Sequence, residues 1–141
     1  MRYLVTGSQM RAIDQDTIQN IGIPSLVLME RAAECVARKA EQLCDQKTLQ
    51  ILAICGVGNN GADGVAAARM LYLHGFDVLV VVVGNEAHAT KEFEVQKGIA
   101  EKLEIPVVDW EHFLHGEDEQ KAGDCAIIDA VFGVGLSRDV E

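Results

Sequence analysis

LQILAICGVGNNGADGVAAARMLYLHGFDVLVVVVG, residues 49–84, decides the fold. Residues 49–55 form a short apolar run that ends in glycine, the mark of a buried strand. Residues 56–64 are rich in glycine. Beyond them Val65, Ala68, Leu71 and Tyr72 fall on one helical face, and Gly75 ends that helix. Residues 76–84 are apolar and rich in β-branched side chains, which makes them the clearest strand in the chain. Strand, glycine turn, helix and strand in this order form a βαβ unit. Strands that are apolar on both sides predict a parallel sheet with helices on both faces.

The pattern continues outward from this unit. Downstream, a polar stretch at 85–90 leads to a helix over about 90–103 and a short strand over 105–108. Residues 109–115 read as a short helix or loop, and 116–124 as a solvated, charged segment. Cys125, Ala126, Ile127 and Ile128 then form a buried strand ending at Asp129. Upstream, Ser8 is placed to cap a helix carrying Met10, Ile13, Thr17 and Ile18, with Asp14 and Asp16 on its outer face. Gly22 and Pro24 mark a turn, after which Ser25 caps a longer helix reaching about Leu43. These two helices precede the first strand and are expected to form a cap or an arm. The expected architecture is one α/β domain over residues 1–141, a Rossmann-like three-layer α/β/α fold with a mainly parallel sheet. The chain stops at Glu141, just past a glycine-containing loop beyond a strand end. An α/β domain would continue there with a helix and another strand, so the C-terminal part of the fold is expected to lie outside this sequence.

At 141 residues the chain has the length of one domain. Its 22 acidic residues against 12 Lys and Arg give a net charge of −10, which repels phosphate backbones and anionic lipid. Nucleic acid and membrane partners are therefore not expected. The first residues lack the apolar core of a secretion signal, and no apolar run reaches about 18 residues. Cys35, Cys44, Cys55 and Cys125 form neither a zinc pattern nor a dense disulfide framework, and Cys55 and Cys125 read as small buried hydrophobes. A reducing, cytoplasmic location is expected.

Two glycine-rich segments follow predicted strands, where open α/β sheets bind their ligands. In the first, Gly56 to Gly64, glycines allow a sharp turn and close backbone approach, and a helix starting near Gly61 offers free N–H groups to an anion. GVGNNG matches G-x-G-x-x-G, but the second strand ends in VVVVGNE, with Gly84 and Asn85 where a dinucleotide fold needs a ribose-binding acid. An ordinary NAD(P)-dependent oxidoreductase thus fits poorly, and a P-loop fails because no G-K-[ST] follows. Asn59, Asn60 and Asp63 add polar groups that a plain phosphate loop does not need, although turn chemistry alone also favours Asn and Asp. The second segment begins at Asp129, at the carboxyl edge of its strand. Burial of an uncompensated carboxylate there favours pairing with a cation or with hydrogen-bond donors; an oxygen-liganded metal with an Asn carbonyl as companion is one solution. Helix capping by Asp129 is the alternative. His74, His88, His112 and His115 read as exposed surface residues, and Trp110 and Phe113 as core or interface.

GVGNNGADGVAAARML (56–71) resembles the G-x-G-N-N-G-G-D-G-L-x-A-A-R-x-L signature of the YjeF N-terminal domain, the NAD(P)H-hydrate epimerases. GIPSLVLMERAAECVA (22–37) is similar to that family's second helix, and DAVFGVGLSRDVE (129–141) to its D-A-x-F-G-x-G-L segment. The resemblance implies an isomerase that interconverts the R and S forms of hydrated NADH and NADPH at nicotinamide C6, feeding an S-specific dehydratase. It implies that Asn59, Asn60, Gly61, Ala62 and Asp63 form a first substrate loop. It also implies that Gly133, Val134, Gly135, Leu136, Ser137, Arg138 and Asp139 form a second, and that Asn60 and Asp129 bind a potassium ion. A homodimer is expected, fused to or working with an ADP-dependent dehydratase. The alternative is a non-catalytic dimerisation or ligand-binding module of the same fold. Ala62 stands where the family has a second glycine, adding a methyl where the backbone is expected to approach the ligand, and weaker or altered binding is expected there if that position needs φ > 0. The family's later D-x-P-S-G segment does not occur in these residues.

Overall fold

The computed structural model describes residues 4–44, 49–115 and 124–134. In chain order the elements are α1 (Gly7–Asp16), a π-helical turn (Thr17–Ile21), α2 (Ser25–Leu43), β1 (Gln50–Gly56), α3 (Asn59–Leu73) and β2 (Asp77–Val83). A 3₁₀ turn (Glu86–His88), α4 (Lys91–Lys102), β3 (Val107–Asp109), α5 (Trp110–His115) and β4 (Cys125–Ala130) follow. All strand pairs are parallel, in the order β3-β2-β1-β4. The α/β fold read from the sequence is present, and residues 110–115 form a helix rather than a loop.

Register sets which side chains share a face. Ala53 lies beside Val80 and Ile128, and Ile51 beside Val78 and Ala126. These belong to the main core with Val65, Ala68 and Leu71 of α3 and Phe93 and Ala100 of α4. Phe93 is the largest of the fully buried side chains. Helix α2 packs on α3 through Ala33 against Ala66 and Ala67, small residues that let the two helices approach closely. Its Glu30 accepts from Arg69 of α3 (2.7 Å) and from Gln96 of α4 (3.0 Å), joining three helices.

The opposite face differs from expectation. Burial on both faces holds for β2, where Val80, Val81 and Val82 are all buried. It fails for β4: Cys125 and Asp129 are exposed and Ile127 is 61% exposed. Among the described residues β4 is an edge strand, and α5 packs against β2 and β3 only. An apolar run alone does not distinguish a strand covered on one side from one covered on both. Cys125 is accordingly not the buried hydrophobe expected, whereas Cys55 is.

Two caps also differ. Thr6, not Ser8, caps α1, accepting from the Gln9 N–H (3.3 Å) while its own N–H donates to Gln9 Oε1 (2.8 Å). The reciprocal cap needs an acceptor three residues on. Thr6 has Gln9 there, whereas Ser8 has Arg11, a donor only. Pro24 occupies the cap position of α2, and the Ser25 hydroxyl instead donates to Glu92 of α4 (2.9 Å). Helix α1 contains no buried residue, consistent with an arm.

Candidate functional site

The site lies at the carboxyl ends of β1 and β4, where α3 begins. A Cβ at Gly61 would overlap the carbonyl oxygen of Gly56, and one at Gly64 would stand 2.5 Å from Ala130 Cβ and 2.9 Å from Cys55 Sγ. These two positions let α3 descend onto both strand ends. The helix starts at Asn59, two residues before the expected Gly61. Its cap, Gly58, supplies no side-chain hydrogen bond. The first-turn N–H groups therefore carry the helix's positive end toward the strand ends, an arrangement that favours a bound anion.

Asn60 joins the two glycine segments. Its Nδ2 donates to the Phe132 carbonyl (3.0 Å), and a Cβ at Gly133 would lie 2.9 Å from the Asn60 Cβ. The Val134 carbonyl in turn accepts from the Arg11 guanidinium of α1. The expected meeting of two loops at one rim of the sheet is thus present as far as Val134. Gly135, Leu136, Ser137, Arg138 and Asp139 lie outside the described residues.

Next to this junction is an open cleft of about 210 Å³. Leu28, Met29 and Ala32 of α2 and Ile18 of the π-helical turn give it an apolar wall. Asn59 and Asp63 of α3 line it together with Asp14 of α1, Glu92 of α4 and Ser25. Asp14, Ser25 and Glu92 were not legible as site residues. Asp14 is expected on an outer helix face, whereas the structure sets it in the cleft lining with Asn59 and Asp63 of α3. No local signal marks it.

The family model described as YjeF-related protein N-terminus matches residues 25–141. The chain belongs to this family.

Among curated relatives, the NAD(P)H-hydrate epimerase of Limosilactobacillus fermentum is 44% identical over 137 residues, 97% of this chain and 62% of the relative. That of Oenococcus oeni is 40% identical, covering 96% of this chain and 61% of its own length. The chain therefore spans about six-tenths of the length of these relatives. The crystal structure of the yeast protein ynu0 (YNL200c) superposes with a TM-score of 0.81 at 23% identity, over 99% of this chain and 60% of that one. That likeness concerns the fold. No helix among the described residues is long and apolar enough to cross a membrane.

In this YjeF-related chain the positive φ on which the Ala62 expectation depended is absent, and the expectation for Asp129 needs correction. The Ala62 methyl is fully buried in the core, and the Ala62 N–H is bonded to the Gly58 carbonyl (3.0 Å). Glu104 is the sole non-glycine residue with positive φ among the described residues, so Ala62 carries no backbone strain. Its extra methyl fills core space and does not stand between the backbone and a ligand. Asp129 is not buried: it is exposed, and its Oδ1 accepts from the Val131 N–H (3.1 Å), a local turn bond. The desolvation argument for a cation beside it falls away. Among the described residues no hydrogen bond links Asn60 to Asp129, and no group of three His, Cys, Asp or Glu could hold a metal. The donor chemistry nevertheless suits an alkali cation. With its Nδ2 bonded to Phe132, the Asn60 amide presents Oδ1 as its free acceptor, and Asp129 retains one carboxylate oxygen; both are hard oxygen donors.

Burial, reinforced by the nearby Asp14 carboxylate, pushes the Asp63 carboxyl up from 3.8 to about 6. The folded state then holds its proton more tightly than the unfolded chain. Stability contributed by this group is greatest below the unfolded value and falls as pH rises from about 4 to about 6. Asp63→Asn removes the cost of holding a charge there. It is expected to raise the melting temperature by roughly a few degrees at pH 8 and to lose that advantage at pH 4. Calorimetry at the two pH values checks this, and an equal shift at both would contradict it.

Proposed function

We propose that the protein is an NAD(P)H-hydrate epimerase, interconverting the R and S forms of hydrated NADH and NADPH at nicotinamide C6. The observation that carries this reading is the Asn60–Phe132 junction. It joins the two glycine segments of the family signature beside a cleft containing Asp63. The similarity to the NAD(P)H-hydrate epimerases of Limosilactobacillus fermentum and Oenococcus oeni supports it.

The chemistry suits the site. C6 of the hydrate bears a hydroxyl beside the ring nitrogen N1, so it is a hemiaminal carbon. When the C6–O bond breaks, the N1 lone pair forms a planar iminium, and water adds from either face. The ring gains positive charge in this step, and a cleft lined by Asp14, Asp63 and Glu92 stabilises that charge. The pyrophosphate, by contrast, would be repelled by these carboxylates and is assigned to the N-terminus of α3 and the glycine rim. Potassium held by Asn60 and Asp129 would supply a fixed positive charge that offsets the negative charge of protein and ligand.

The substrate is a damaged intracellular cofactor, so we place the protein in the cytoplasm. It supplies the S form there to an ADP-dependent dehydratase, fused or separate. The exposed Met10 and Ile13 on α1 suit a homodimer contact. A single purified epimer of NADPHX, incubated with the full-length protein in potassium buffer and followed by chromatography, is expected to reach the R/S mixture far faster than buffer alone. Equal rates with and without protein would overturn the reading.

A further inference from the structure

We propose that Asp63 is the catalytic residue that transfers the proton at the C6 hydroxyl, in a cleft it shares with Asp14 of the α1 arm. The inference rests on the epimerase reading and goes beyond it by assigning the chemical step to one side chain.

Three carboxylates line the cleft, and their surroundings distinguish them. Glu92 is engaged by the Ser25 hydroxyl (2.9 Å). Asp14 rides on α1, a helix with no buried residue. Asp63 stands on α3 between Ala62, which is fully buried, and Gly64, which is wedged against Ala130 and Cys55. A reacting group needs a rigid support, and Asp63 has it. Among the described residues its carboxylate has no hydrogen-bond partner, so it is available to a ligand. Ile18, Leu28 and Met29 form the apolar wall of the same cleft.

The groups facing Asp63 across the cleft are Asp14 from α1 and Glu92 from α4. Helix α2 contributes only the Ser25 hydroxyl to the polar lining, and no basic side chain lines the cleft among the described residues. Partial burial, reinforced by the Asp14 carboxylate, raises the carboxyl to about 6, where protonated and ionised forms coexist.

The step balances without a redox partner. The Asp63 carboxyl gives its proton to the C6 hydroxyl, the C6–O bond breaks, and water departs as the N1 lone pair closes the C6–N1 double bond. A water then adds to the opposite face of C6 and returns a proton to the Asp63 carboxylate.

The test compares wild type, Asp63→Asn, Asp63→Glu and Asp14→Asn in the full-length protein, using purified NADPHX epimers from pH 5 to 8. Asp63→Asn is expected to lower kcat about 100-fold or more while KM changes by less than about 3-fold, and Asp63→Glu to recover part of kcat. The wild-type rate is expected to fall as pH rises past about 6, and Asp14→Asn to move that limb to lower pH. The proposal is overturned if Asp63→Asn keeps kcat within about 3-fold, or loses activity through KM alone. If wild type does not interconvert the epimers, the epimerase reading itself fails and takes this assignment with it. If wild type does and Asp63→Asn does equally, only the assignment fails.

Discussion

Gly61→Ala is expected to destabilise the protein by more than about 3 kcal/mol, a large share of the roughly 5–15 kcal/mol that holds a domain together. The added methyl would overlap the Gly56 carbonyl oxygen. Both partners are backbone, so no side-chain rotation relieves the overlap. Helix α3 would have to lift off β1, opening the packing of Val65, Ala68 and Leu71 on the sheet. Gly98→Ala is the informative contrast. Gly98 lies inside α4 with open space where its Cβ would be, so alanine there is expected to gain about 0.5–1 kcal/mol from helix propensity. Urea denaturation of both variants measures the difference. A Gly61→Ala protein within about 1 kcal/mol of wild type would contradict the close contact.

Asn60→Ala is expected to cost function far more than stability. It removes one exposed hydrogen bond, to the Phe132 carbonyl, which contributes about 1 kcal/mol. It also removes the free amide oxygen assigned to potassium and releases the second glycine segment from the first. Loss of kcat/KM by about 100-fold is expected, with the remaining activity equal in potassium and sodium buffers. Titrating the variant and wild type with each chloride salt checks this. A wild-type-like response to potassium in Asn60→Ala would remove Asn60 from the ion's ligands.

The features legible in sequence were those fixed by local chemistry. The apolar β-branched runs at β1 and β2, and the glycines between them, needed no distant partner to declare themselves. Asn60 drew attention through its motif as a substrate-loop residue and potassium ligand; its hydrogen bond to the Phe132 carbonyl, 72 residues away, had no local signal. The errors lie where a property depends on distant chain. Whether β4 is covered on one face or two depends on what packs over it, which a run of apolar residues does not encode, so Asp129 was read as buried when it is exposed. Ser8 and Thr6 are both competent caps, and only the partner three residues on separates them. Asp14 carries no sign of its place because it meets Asn59 and Asp63 only in the folded cleft, far from them in sequence.

The central claim is that the strand-end cleft holds the hydrated nicotinamide cofactor. Backbone amide shifts on titrating the ¹⁵N-labelled protein with NADPHX in potassium buffer test it most directly. The account predicts that the largest changes fall on Asn59, Asn60, Gly61 and Asp63, on Phe132 and Gly133, and on Asp14 and Ile18. Changes concentrated instead on the open sheet face around Leu52, Ile54 and Ile127, with the α3 N-terminus unmoved, would contradict it.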